Sequence, residues 1–220
     1  MPIADLLSLA APAVHAATGE LWHAPGLAER YPRYLIAMHG VIRASVPLME
    51  LAARRCAERG DRDPVAGPLG RYLVAHAAEE AEHDEWLLED LALLGYDPAG
   101  VRDALPPAEV ARLVGPQYYW IEHYHPVALL GYIAVLEGNA PAAWLADLIV
   151  AGAGVPEGSV RTVDAHASLD TAHADEVFTL IDTLPLTAAQ RTAVTVSSLS
   201  TCDALLRVFD AITARNGDRR

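Results

Sequence analysis

Apolar residues recur three and four positions apart along almost the whole chain, cut at intervals by proline and glycine. That period puts them on one face of a helix. Alternating valine and isoleucine runs and Asn-Gly turns, the marks of strands and hairpins, are nearly absent. The pattern predicts helices over about 3–18, 28–59, 65–95, 107–138, 140–152, 157–183 and 187–215, with ends placed to within roughly 2–4 residues. Pro47 lacks a backbone donor and predicts a bend in the second helix. "VGPQ", Val114 to Gln117, predicts a break in the fourth. "LGYDP" reads as a helix stop, with Gly95 at the C′ position and Pro98 just beyond. Thr187 reads as the N-cap of the last helix. No linker, low-complexity tract or repeat of solenoid length intervenes. The expectation is one all-α domain over residues 1–220, a compact bundle of about seven helices.

Polar residues invade the apolar face at two places. The first is "HAAEEAEHDEWLLEDLALLG", His76 to Gly95. Taking about 100° per residue and His76 as zero, Glu80 falls near 40° and His83 near −20°. Leu87, Asp90 and Leu94 continue the same stripe. Glu82, Glu85 and Glu89 form a solvated back, and Glu79 sits on the stripe's edge, as a helix-start acid or a spare ligand. Acids at a helix start favour the positive end of its dipole, which accounts for Glu79 and Glu82. It does not account for two inward histidines. A Glu-x-x-His pair such as Glu80 and His83 can grip one ion from a single face, as in helical carboxylate-bridged di-iron proteins.

The second place is "VDAHASLDTAHADEVFTLI", where His166, Asp170 and His173 repeat the spacing of His76, Glu80 and His83. Each carboxylate lies between two histidines, and each stripe then turns apolar, through Leu87 and Leu94 or through Val177 and Leu180. Asp164, Asp175 and Glu176 fall on other faces. Two matching triads point to a shared metal site. Histidine and carboxylate without cysteine suit iron, manganese or zinc. Binding there requires neutral imidazole and ionised carboxylate, so it weakens as pH falls.

The segment from Pro126 to Leu136 has no charged residue and ends in Glu137. A helix apolar nearly all round is central, and a carboxylate at its end needs a partner or an open edge. Glu137 is either a surfacing residue before Gly138 and Pro141 or a carboxylate reaching the same metal centre. Glu122, His123 and His125 are weaker ligand candidates, with His125 at a bend before proline. His39 reads as a core histidine that can also line a cavity. Glu50 is a further carboxylate on the same predicted helix. His15 and His23 carry no spacing signal. Tyr118, Tyr119, Trp120 and Tyr124 read as aromatic packing.

Charge and composition narrow the function. The formal charge of −13 argues against nucleic acid and anionic membranes. No apolar run reaches the roughly 18 residues of a membrane span. The N-terminus lacks the basic start of a signal peptide, so a cytoplasmic location is expected. All sixteen basic residues are arginine, which removes Schiff-base and P-loop lysine chemistry. Cys56 and Cys202 lie far apart, in no metal or redox spacing.

Glu80-x-x-His83, a middle helix ending in Glu137 and the late His166-x-x-x-Asp170-x-x-His173 together resemble the haem-oxygenase-like iron-containing redox enzymes. The likeness spans about residues 30–215, and "LLGYIAVLEG" and "DLALLG" add to it. The resemblance implies a haem-oxygenase-like bundle that binds Fe(II), often as two ions, with O2 as co-substrate. Members cleave carbon–carbon bonds, desaturate or N-oxygenate amino acids and fatty acids. It implies His83, Glu137, His166, Asp170 and His173 as ligands, with either Glu80 or His76 as the sixth, or His76 as a seventh. The expected partner is a small molecule, with arginines near the mouth to pair with an anionic substrate, and the expected assembly is a homodimer. Four rivals stay open: a thiaminase-like hydrolase needing a cysteine nucleophile, a true haem oxygenase, a ferritin-type metal store, and a hydrolytic zinc enzyme.

Overall fold

The computed structural model describes residues 3–214, apart from the side chain of Thr171. These form α1 (Ile3–His23), α2 (Leu27–Ile42), α3 (Ser45–Arg59), α4 (Ala66–Glu79), α5 (His83–Leu93), α6 (Pro98–Asp103), α7 (Ala108–His123), α8 (Leu129–Glu137), α9 (Leu145–Ala153), α10 (Arg161–Thr183) and α11 (Ala188–Thr213). Short 3-10 turns stand at Gly60–Arg62, Pro126–Ala128 and Glu157–Val160. No strand occurs among the described residues. Arg215, the expected last residue of the final helix, lies outside them.

The all-α expectation holds, but the seven predicted helices become eleven because three of them break and α6 is added. The second breaks at Arg43 and Ala44, not at Pro47. Pro47 falls in the first turn of α3, where its missing donor has no intrahelical partner to lose. The fourth runs unbroken through "VGPQ" and stops at Tyr124, ahead of Pro126. His125 is extended there (φ −158°, ψ 135°), as a residue before proline must be. The third breaks between Glu79 and His83, inside the triad. Glu82 at that break has φ 70°, the one non-glycine residue with positive φ among those described. That conformation costs a side-chain-bearing residue of order 1–3 kcal/mol, so the surrounding packing enforces it.

A predicted helix stop and a predicted helix start are present as drawn. Gly95 has φ 85°, and the amides of Tyr96 and Gly95 donate to the carbonyls of Leu91 and Ala92, the 6→1 and 5→2 bonds of a Schellman end. Thr187 and Gln190 form a reciprocal capping box at the start of α11.

One continuous cluster of buried apolar side chains runs from Ile3 in α1 to Ile212 in α11. Every residue from Leu129 to Val135 in α8 is buried, and a fully buried leucine contributes about 1.5–3 kcal/mol. α8 packs on α10 and α11. A Cβ on Gly131 would lie 2.4 Å from the Val194 carbonyl oxygen, so glycine is what lets α8 and α11 touch backbone to backbone. The entry to α8 is pinned by His125. Its Nε2–H donates to Asp63 (2.7 Å), and its Nδ1 accepts from the Val127 amide (3.0 Å). These contacts fix the bend that delivers Glu137 at the far end of α8.

Residues Leu27–Arg62 include a window of mean hydropathy 1.3, long and apolar enough by composition to cross a membrane. In the fold this stretch is divided into α2 and α3, and α2 packs against α5 and α9.

Candidate metal centre

Four elements converge beneath the cavity: the end of α4, the start of α5, the end of α8 and the middle of α10. Two groups of donor atoms result, each with its members within 4.8 Å of one another. One is His76, Glu80, Glu137 and His173; the other is Glu80, His83 and His166. Glu80 belongs to both. The rings of His76 and His173 stand 4.6 Å apart, and those of His83 and His166 stand 5.2 Å apart. The early triad therefore faces the late one in antiparallel order.

All the stripe residues of the two triads are inward. His76, Glu80, His83, Asp170 and His173 are buried, and His166 is partly so. Glu82, Glu85 and Glu89 are exposed, as the solvated back requires. The break at Glu80–Glu82 makes the inward turn possible in two steps. Glu80 caps the end of α4 and His83 opens α5. The break also reverses the dipole argument for Glu79. It stands in the last turn of α4, at the negative end, where an acid is disfavoured; only Glu82, at the start of α5, fits the helix-start account.

Hydrogen bonds orient the donors. His83 Nδ1 lies 3.1 Å from Glu80, and His76 Nε2 lies 3.3 Å from Glu137. His166 donates its Nδ1–H to the Thr162 carbonyl at 2.8 Å, which leaves Nε2 with a free lone pair facing the cluster. His173 Nδ1 is buried without a hydrogen bond of good geometry, 3.5 Å from both Glu80 and Glu137.

The electrostatics are those of a site short of positive charge. Three carboxylates, Glu80, Glu137 and Asp170, crowd a space with no arginine among its lining residues. Burial, with Glu137 and Glu80 adding to it, pushes Asp170 up to about 8. Glu137, opposed by burial, raises His173 to about 9. Burial works against the Glu137 carboxylate, but the adjacent His173 and His76 rings outweigh it and hold the group below its usual range. Burial also lowers His166, and the Thr162 carbonyl counters it. Protons on His173 and Asp170 thus supply the charge that a cation would supply. The orphaned His173 Nδ1, four imidazoles, shared Glu80 and no thiolate form a donor set that fits iron.

Asp170 is in neither close group. It is buried beside them and lines the cavity with Glu80, Glu137 and His166. The weaker candidates stand elsewhere. Glu50 is exposed, and Glu122 pairs with Arg55 on the surface. His123 is exposed. His125 is engaged with Asp63. His39 is buried but does not line the cavity, and burial and the Arg43 guanidinium lower its basicity. Three neighbours of the cluster escaped the sequence reading. Tyr72 stacks on His76 at 5.3 Å, Trp86 packs 4.0 Å from His83, and Thr162 holds His166. Each lies three or four residues from the histidine it touches, a spacing visible in the sequence.

Above the cluster lies a cavity of about 420 Å³, within the range of small-molecule sites. Met38, Ile42, Leu136, Val163, Leu205 and Phe209 supply much of its wall. His15 from α1 and Trp144 before α9 also line it. No arginine stands among the residues that line the cavity.

Among solved structures, a domain of unknown function with a heme oxygenase-like fold from Shewanella denitrificans matches with a TM-score of 0.75 at 20% identity, over 94% of this chain and 91% of that one. A TenA homologue from Pseudomonas syringae pv. tomato matches with a TM-score of 0.66 at 11% identity, over 93% and 91%. At these identities the likeness establishes the haem-oxygenase-like fold. No curated protein matches the chain. A family model described as iron-containing redox enzyme matches residues 34–205, and with most of the chain covered by it this protein belongs to that family.

Proposed function

We propose that the protein is a non-haem iron-dependent oxidase or oxygenase that holds two ferrous ions and uses O2 on a small amino-acid- or fatty-acid-like metabolite in the cytoplasm. One observation carries the reading: two donor groups joined through Glu80 sit at the inner end of an apolar cavity. His76, His173, Glu80 and Glu137 would hold one ion. His83, His166 and Glu80 would hold the other, with Asp170 as a further carboxylate. Two histidines and one carboxylate leave coordination positions open, the arrangement used by ferrous oxygenases. Bound iron supplies the electrons that O2 reduction needs.

The chain's own residues do the rest. Glu80, Glu137 and His166 reach both the donor groups and the cavity, so a molecule in the cavity meets the centre there. The apolar wall excludes water from the reacting end. With no arginine in the lining, a substrate carboxylate or amine is held at the metal end and its apolar body against the wall. A cysteine-dependent hydrolase has no nucleophile here. Cys56 and Cys202 are buried, burial raises both thiols, and neither lines this cavity.

Anaerobic Fe(II) titration followed by O2, monitored by absorbance and Mössbauer spectroscopy, tests the proposal. The expected result is uptake approaching two irons per chain and rapid oxidation by O2. Absence of uptake, or uptake unchanged in a His166→Ala/His173→Ala double variant, refutes it. Tight binding without O2 reaction, with or without amino acids and fatty acids, would instead indicate a metal store.

A further inference from the structure

Glu79 does not belong to either donor group, yet one of its oxygens faces two of their histidines. Glu79 Oε2 lies 3.7 Å from His76 Nδ1 and 3.6 Å from His173 Nε2. The opposite nitrogen of each ring points into the centre. His76 Nε2 is 3.3 Å from Glu137, and His173 Nδ1 is 3.5 Å from Glu80 and from Glu137. Each imidazole is therefore held between the centre's carboxylates on one side and Glu79 on the other.

Two further observations point the same way. His76 Nδ1 is buried without a hydrogen-bond partner, and Glu79 is the carboxylate it faces. Glu79 also stands in the last turn of α4, where the helix dipole disfavours a negative charge. Its ion-pair contacts among the described residues are these two histidines alone. The distances exceed a hydrogen bond, and the side chain is half exposed, so a small rotation or one bridging water completes the contact.

We propose that Glu79 is a positioning residue for His76 and His173, and that it makes their half of the centre the tighter metal position. This rests on the metal-binding reading above. A metal-bound histidine donates its other N–H to an outer partner, which fixes the tautomer and ring orientation and raises ligand basicity. A carboxylate does this more strongly than a neutral carbonyl. The other half has only the weaker kind: His166 donates to the Thr162 carbonyl, and His83 packs against the Trp86 ring. The two halves differ in donor number, four against three, and in outer support, and Glu79 adds its support to the four-donor half, so the ions bind unequally.

The test is anaerobic titration of the full chain with Co(II) alone, followed by visible absorbance and calorimetry. The wild type should show two unequal steps. Glu79→Ala should weaken the tighter step by about tenfold or more, the effect expected when an outer partner is removed. It should leave the weaker step within twofold and the metal-free melting curve in place. Glu79→Gln, which keeps an acceptor but not the charge, should fall between. The Glu79 effect should persist in full in a His166→Ala background and shrink in a His76→Ala background, where only the His173 contact remains. Equal weakening of both steps, or no weakening, overturns the proposal. A changed Co(II) spectrum at saturation makes Glu79 a direct ligand and overturns it too. Failure of the wild type to bind Co(II) overturns the metal-centre reading itself, and this proposal with it.

Discussion

His76 faces His173 across the bundle, ring centroids 4.6 Å apart and planes at 86°, with the carboxylates of Glu80 and Glu137 closing the group. This contact joins the first residue of the early triad to the last of the late one. His83 is joined to His166 at the other end. Each ion position therefore draws on both triads, and deleting one histidine should damage one position selectively. His76→Ala should lower affinity in the four-donor group at least tenfold while His166→Ala spares it, read by anaerobic Fe(II) titration.

Protons and metal compete for the same groups. His173, raised to about 9, and Asp170, raised to about 8, are both protonated near neutrality in the metal-free chain. Metal binding at His173 must displace its proton, and positive charge beside Asp170 releases another. Affinity should rise with pH from 6 to 8 by about tenfold per unit for each proton displaced, and calorimetry in buffers of different ionisation enthalpy should register the release. The metal-free fold responds oppositely. For both groups the folded-state value exceeds the unfolded one, so their stabilisation is present at low pH and fades as pH rises through about 8–9. Melting of the metal-free chain should therefore occur at lower temperature at pH 9 than at pH 6, with loss of order 1 kcal/mol or more.

His173 is also the main partner of the buried Glu137. His173→Ala removes one of the two histidines that hold the buried carboxylate below its usual range, leaving His76 alone. The metal-free chain should lose about 1–3 kcal/mol, measured by urea unfolding near pH 7. His173→Gln, which restores a donor, should recover part of it.

Gly131→Ala tests whether the α8–α11 contact sets the site. The added Cβ would meet Val194 O at 2.4 Å and the Ser198 amide nitrogen at 2.7 Å, both backbone atoms that cannot swing aside. Destabilisation of at least about 1–3 kcal/mol is expected. Because Glu137 ends the same helix, metal affinity should fall as well. A variant that melts normally would show that α11 can retreat.

Filling the cavity should separate substrate from metal. Val163 lines the wall and is buried. Val163→Phe should leave Fe(II) stoichiometry intact and abolish the spectral change that a bound amino acid or fatty acid produces in the loaded wild type. Loss of metal together with substrate would show that the wall also supports the ligands.

Much of this arrangement is written in local spacing. A period of 3.6 residues tells which side chains share a face, and so His76, Glu80, His83, His166, Asp170 and His173 all read as inward before any fold is known. The caps at Gly95 and Thr187 depend on near neighbours and are equally legible. Glu137 was readable as either a frayed end or a reaching carboxylate, and only the docking of α8 on α10 and α11 brings it within reach of His76 and His173.

Where the local code ran out, long-range packing decided. Periodicity says which face is inward but not what stands opposite. The antiparallel pairing of the triads, the double membership of Glu80 and the position of Asp170 beside the close groups all follow from helix docking. So does the break at Glu82, whose positive φ no local preference of glutamate would select. That break turns Glu79 from a helix-start acid into a helix-end acid, placed beside two histidines.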